Sequence, residues 1–178
     1  MSTWNSRGLR GSTLEDLINR TNEKYLENGL ALIQKIPTPI TPINIDKSTR
    51  HITLAYFEQK STVDYIGVVQ TYPVCFDAKE VTKDSFPLAN IHEHQYLFMK
   101  EFEEQGGVAF LLINYLHKDK IYYMRFSELD KFYKRAKDGG RKSFTFDELS
   151  EDYFVSGQLG VPLHYLEGLN KDLKEHMD

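Results

Sequence analysis

The sequence predicts an α/β fold: a central mixed β-sheet flanked by helices, with a long extended arm. Three observations predict it. Helical and strand-like apolar periodicities interleave along the chain, as helix, several strands, helix, two strands, helices. The stretch "VAFLLINYL" is almost continuously apolar, as expected of a central strand. The length of 178 residues, with 40% hydrophobic and 13% aromatic content, suits one domain (1–178) with a real core.

The elements follow in order. "GSTLEDLINRTNEKYLENG" reads as the first helix, with Ser12 as cap and Glu15 three residues later in a capping-box pattern. Leu14, Leu17, Ile18, Thr21 and Tyr25 share one face, and Gly29 can end the helix in the left-handed conformation. "LALIQKI" reads as a strand. Pro37, Pro39 and Pro42 then exclude helix and disfavour a central strand, and strand character resumes at "ITLAYF". Such an arm is more often a plain loop than a functional projection, but it is long for a connection within one compact domain, which adds weight to a functional role. "VDYIGVVQ" and "PVCFDAKE" are two more strands. A helix is expected from about Pro87 to Gln105, then the strands "VAFLLINYL" and "KIYYMRF". Ser127 is expected to cap the basic helix "SELDKFYKRAKD", closed by Gly139 and Gly140. Leu163, Leu166, Leu169 and Leu173 mark a last helix.

Composition narrows the function. A single cysteine, Cys75, excludes an internal disulfide and fits a reducing compartment. No apolar run is long enough to span a membrane, and "MSTWNSRGLRGS" lacks the apolar stretch of a signal peptide, so a cytoplasmic location is expected. The net charge of −4 argues mildly against nucleic acid. Its distribution softens that: residues 117–142 hold nine Lys/Arg against four Asp/Glu, and residues 143–178 hold two against eight, although a basic block can also be a plain solvated face.

The chemistry starts at "FDAKE". Alternate side chains of a strand share a face, so Val74, Phe76 and Ala78 point one way and Cys75, Asp77 and Lys79 the other. Asp64 opens the preceding strand, and a hairpin-like pair would bring it near Asp77. Two carboxylates held close repel each other unless a cation sits between them, and Mg²⁺ is the usual solution. A lysine beside that site could orient or deprotonate a water, which is the chemistry of phosphodiester hydrolysis. A local Asp–Lys pair on a surface strand fits the same tripeptide. In the next helix Gln95 is the polar member of an apolar stripe with Ile91, Phe98, Met99 and Phe102. Its amide can bond to backbone or complete a metal–water site. "HEHQ" is not the zinc-protease motif, because Tyr96 stands where that motif needs a histidine.

"RGSTLEDLINRTNEKYLENG", "QKIPTP", "AYFEQKSTVDYIGV", "FDAKE", "SFPLANIHEHQ" and "GGRKSF" occur here in one order. In this they resemble the RecU-type Holliday junction resolvases of Gram-positive bacteria, over about residues 7–145. The resemblance implies a restriction-endonuclease-like core, a homodimer, and cutting of four-way DNA junctions with Mg²⁺, for which Mn²⁺ can substitute. It implies that Thr62 and Asp64 match the family's T-x-D site, Asp77 and Lys79 its E-x-K pair, and Gln95 the glutamine of its H-E-H-Q helix. Asp64, Asp77 and Lys79 would then be catalytic, with Thr62, Asp64, Asp77 and Gln95 around the metal. Glu15 matches an acidic residue that approaches the metal in related resolvases; a capping role competes with this. A segment of about residues 37–60 would be the stalk that projects toward the junction centre, with Lys47 and Arg50 its basic residues.

The chain departs from the family pattern in places. Asp77 stands for glutamate, Ile66 for a usually polar residue, and the stalk is slightly short and weakly basic. Arg7, Arg10, Lys47, Arg50, Arg141 and Lys142 are expected to bind DNA, with the acidic residues after position 146 turned away from them. Branch-migration or recombinase proteins are further partners to expect. Two other readings remain at this point: a recombination factor that binds DNA without cutting it, and a nuclease of the same fold acting on other branched or linear DNA.

Overall fold

The structure, a computed structural model, describes residues 13–57 and 62–177. Helix α1 (Leu14–Glu27) starts at Thr13, whose hydroxyl accepts the Asp16 N–H at 3.3 Å. The cap is therefore Thr13. Ser12 lies outside the described residues, and Glu15 is one position short of the capping box expected for it. Leu14, Ile18, Thr21, Asn22 and Tyr25 form the buried face, and Gly29 takes φ +65° just past the helix end.

Six strands build the central sheet: β1 (Leu32–Lys35), β4 (Tyr65–Val69), β5 (Tyr72–Val81), β7 (Val108–Tyr115), β8 (Lys120–Arg125) and β10 (Phe154–Val155), in the order β1-β4-β5-β7-β8-β10. Only β5 and β7 run parallel, so the sheet is mixed. Every residue of β7 is buried, as its unbroken apolar run requires. One face carries a ladder of rings across four strands. Tyr65 stacks on Phe76 at 4.8 Å, Phe76 on Phe110 at 4.6 Å, and Phe110 on Tyr123 at 4.4 Å. Tyr165 closes over Phe76 and meets Tyr25 of α1 edge-on. Helix α4 (Leu166–Met177) shares this side, where Asp172 accepts the Tyr123 hydroxyl at 3.0 Å.

The opposite face is covered by α2 (Glu93–Glu104) and α3 (Phe126–Lys137). Helix α2 begins later than the sequence suggests. Strand β6 (Ser85–Pro87) pairs with β9 (Ser143–Thr145), and Leu88 N–H bonds to Lys142 O at 3.1 Å. That pairing holds Pro87 extended, and a 3-10 turn at Leu88–Asn90 intervenes before the helix. Helix α3 is capped at Arg125, so Ser127 falls inside its first turn. Leu163 is buried but precedes α4.

The arm is a hairpin. Strands β2 (Ile40–Asp46) and β3 (His51–Phe57) pair only with each other, with an irregular register around Pro42 and Asn44. None of its residues with a described side chain is buried. Among the described residues, no helix is long and apolar enough to cross a membrane.

Candidate active site

Antiparallel pairing of β4 with β5 sets Tyr65 opposite Phe76, which leaves Asp64 beside Asp77 at the end of the ladder. The two aspartates are cross-tied through each other's strand. Asp64 N–H donates to Asp77 Oδ1 at 3.1 Å, and Ala78 N–H donates to Asp64 Oδ2 at 2.9 Å. Lys79 Nζ reaches back along its own strand to Asp77 Oδ2 at 2.5 Å. Gln95, buried on α2, joins the same oxygen: its Nε2 donates to Asp77 Oδ2 at 3.0 Å. Its Oε1 accepts Lys79 Nζ at 3.4 Å and the His92 N–H at 3.1 Å. The amide thus bonds to backbone and to the charged pair at once, so both sequence-level roles for it meet in one residue.

The face carrying Asp77 is not half-buried as a surface strand would be. Asp77 is fully buried, beneath α2, while Lys79 keeps 19% of its side chain exposed. Burial first, then the neighbouring Asp64, push the Asp77 carboxyl up to about 7, against the opposing pull of Lys79. A buried surplus of negative charge on hard oxygen donors fits one divalent cation that keeps several of its waters. Asp64 and Asp77 are the residues that would hold such an ion.

Other expected residues fall elsewhere. Thr62 is half-buried just ahead of β4 and shows no bond to the two aspartates. Glu15 does not join them; its Oε2 pairs with Lys35 Nζ of β1, whose neighbour Ile36 donates to Asp64 O at 2.8 Å. No cluster of three acidic, histidine or cysteine side chains with metal-ligand geometry occurs among the described residues. Lys47 and Arg50 sit in the exposed turn of the hairpin. Arg7 and Arg10 lie outside the described residues. The acidic segment is not turned away from Arg141 as expected. Glu148 accepts Arg135 Nη1 at 2.6 Å and also pairs with Arg141, because Thr145 N–H fixes its carboxylate beside both at 2.8 Å.

The family pattern of Recombination protein U matches residues 9–171. The chain belongs to this family. Two curated relatives, both "Holliday junction resolvase RecU", come from Staphylococcus aureus strains JH9 and MRSA252. Each is 41% identical over 169 residues, covering 92% of this chain and 81% of the relative. The solved structure of Archaeoglobus fulgidus Hjc, a Holliday junction resolvase from an archaeal hyperthermophile, covers 62% of this chain and 72% of its own. It does so at 5% identity and a TM-score of 0.36, too slight a likeness to argue from.

One supporting residue of this Recombination protein U family member escaped the sequence reading. Glu80, two positions past Ala78, points to the α1 side of β5. Its Oε1 accepts the Leu14 N–H at 2.9 Å and Asn114 Nδ2 at 3.4 Å. It thereby anchors the start of α1 to the strand that carries Asp77 and Lys79. The signal was present, since Glu80 is the next charge in "FDAKE", but period-two alternation puts it on the other face.

Proposed function

We propose that the chain is a divalent-metal-dependent endonuclease with a restriction-endonuclease-like core that resolves four-way DNA junctions by phosphodiester hydrolysis. One observation carries the reading: Asp64, Asp77, Lys79 and Gln95 converge in a single bonded cluster whose central carboxylate is buried. A static surface ion pair needs neither the second aspartate nor the glutamine. Membership of the Recombination protein U family and the names of the relatives support four-way junctions as the substrate.

When bound, a Mg²⁺ or Mn²⁺ ion supplies an activated water and charge stabilisation at the phosphate. The chain's own residues do the rest. Asp64 and Asp77 hold the negative site, and Lys79 orients the attacking water or moves its proton. Gln95 fixes the Asp77 oxygen and the Lys79 ammonium relative to each other. Thr62 and Glu15 contribute in this reading only if they move toward the centre, Glu15 by leaving Lys35. Asp77 is one CH₂ shorter than the family glutamate, and its ties to Asp64 N–H and Gln95 compensate by fixing its position.

The stalk of about residues 37–60 contains the hairpin Ile40–Phe57 in this reading, residues 58–60 lying outside the described residues, and Lys47 and Arg50 at its turn meet phosphates near the junction centre. Symmetric cutting of two strands calls for two sites, most simply in a two-fold homodimer. Arg7, Arg10 and Lys142 add positive surface, Arg141 does so only when released from Glu148, and the protein works in the cytoplasm, where chromosomal junctions lie. The test is incubation with a synthetic four-way junction and a matched linear duplex, with and without Mg²⁺. Paired, metal-dependent nicks in the junction are expected. Junction binding with no cutting in either Mg²⁺ or Mn²⁺ would identify a binding factor instead.

A further inference from the structure

We propose that the groove between α2 and α3 docks an acidic amphipathic helix of a partner protein. The groove has a volume of about 990 Å³ and is bounded by α2, the 3-10 turn before it, and α3. Its floor is aromatic and rigid. Tyr96 and Tyr133 stack at 4.1 Å, and Tyr96 tilts against Phe126 at 5.6 Å. Tyr133 OH donates to Ile91 O at 3.0 Å and Tyr96 OH to Asp130 Oδ1 at 2.7 Å. Leu97, on the same wall, remains 45% exposed. A fixed apolar surface of this kind offers anchors at little entropic cost.

The rim is basic. Lys100, Lys134, Lys137 and Lys142 line it against Glu93 and Asp130. Lys134 is matched by Asp130 at 2.6 Å, and Lys100 lies 3.7 Å from Glu104. Lys137 and Lys142 have no ion-pair partner among the described residues. Elsewhere the basic block is largely neutralised by the acidic end of the chain. Arg125 pairs with Glu175, Arg135 and Arg141 with Glu148, and Lys120 lies 3.8 Å from Glu151. The groove therefore keeps a local positive surplus in a chain of net charge −4.

That charge selects the occupant. Residues 1–12 carry Arg7 and Arg10 and no acidic residue, so the chain's own N-terminal segment has the wrong sign. The acidic end of the chain is already engaged with arginines. Single-stranded nucleic acid fits poorly, because Glu93 and Asp130 line the groove and the two tyrosine rings spend their faces on each other. A helix with apolar residues at i, i+3/i+4 and i+7 and carboxylates on its flanks meets both the floor and the rim. Such a partner would sit on α2 residues other than Gln95, and neither aspartate lines the groove.

The proposal does not depend on cleavage. The probe is a displayed library of randomised 16-residue helices, panned against the full chain and then measured as labelled peptides by fluorescence polarisation. Enriched sequences are expected to be acidic with helical apolar spacing. Their affinity should fall at least tenfold in Lys100→Glu/Lys137→Glu and in Leu97→Asp, with thermal melting unchanged. Absence of enrichment, basic or non-amphipathic winners, or equal binding to both variants would overturn the proposal. So would preferential competition by a single-stranded oligonucleotide, or peptide-sensitive self-association of the chain.

Discussion

Asp64 and Asp77 hold each other through backbone rather than through a counter-charge. Asp64 N–H binds one oxygen of Asp77, and the residue after Asp77 binds one oxygen of Asp64. Two like charges are thus fixed side by side by the strand register itself. Among the described residues only Lys79 offsets them, and it bonds to Asp77. Such an arrangement costs the protein stability, which supports the proposed ion-binding task.

The first prediction removes one carboxylate. Asp64→Asn or Asp77→Asn should lower junction cleavage by about 100-fold or more, since a lost metal ligand removes several kcal/mol of transition-state stabilisation. Junction binding should persist, because a negative charge facing phosphate is removed as well. Gel-based cleavage and gel-shift assays on the same variants check both halves, and full cleavage by either variant rejects the site.

The second prediction follows from the raised Asp77 carboxyl. Its folded value of about 7 exceeds the ordinary 3.8, so the folded state binds the extra proton between these limits. The associated stability is fully present below about pH 4 and is lost as pH rises through about 7. Asp77→Asn abolishes this dependence. Its stability relative to the parent should be more favourable at pH 8 than at pH 5, without added metal, by an amount on the order of 1–3 kcal/mol. Thermal melts of both proteins at the two pH values read the difference. A gap that is flat or reversed in sign removes the buried-charge account.

Gln95 gives the third. Gln95→Leu leaves Asp77 Oδ2 and the His92 N–H without their amide partner and frees Lys79. Cleavage should fall about 10–100-fold, as for a residue that orients a metal ligand. Stability should drop by about 1–3 kcal/mol from the lost buried hydrogen bonds. Single-turnover kinetics with metal titration should show a higher metal requirement. An unchanged rate and metal dependence would make Gln95 a purely structural residue.

How far the sequence discloses this protein depends on the range of the determinant. Period-two alternation suffices for β5 and its Asp77–Lys79 face, and one apolar run suffices for β7, because both are local. The Asp64–Asp77 meeting needs only a hairpin register. What escapes is set by distant partners. Strand β6 forms because β9, far along the chain, pairs with it, and that pairing delays α2. The two-residue β10 has no periodicity to detect. Glu148 is an ordinary acidic residue until the fold places it between Arg135 and Arg141. The same limit applies to Glu15, whose partner Lys35 lies on another element.

The hairpin supplies the fourth prediction. None of its described side chains is buried, so replacing residues 40–56 with a short Gly-Ser linker should shift the melting temperature by no more than a few degrees. The linker variant should lose preference for a four-way junction over a matched duplex, since branched DNA is read by shape. Selectivity equal to the parent's would reduce the hairpin to a spacer.

The last prediction concerns charge that the fold holds in reserve. Glu148 neutralises Arg135 and Arg141, and its carboxylate lies below its ordinary range because Arg135 and the Thr145 N–H and hydroxyl outweigh the opposing effect of burial. Arg141 stands in the "GGRKSF" segment expected to face DNA, yet Glu148 competes with phosphate for it. In the parent protein Arg141→Ala should therefore cost little junction affinity. Glu148→Gln keeps the shape but removes the competitor. It should tighten junction binding several-fold at low salt and steepen the salt dependence, by about 0.9 in log–log slope for each arginine that gains a phosphate. The gain should vanish in Glu148→Gln/Arg141→Ala if Arg141 is the residue released. Filter binding across a salt series separates the cases: parallel lines for parent and Glu148→Gln would mean that the pair faces away from DNA and serves only to pin β9 against α3.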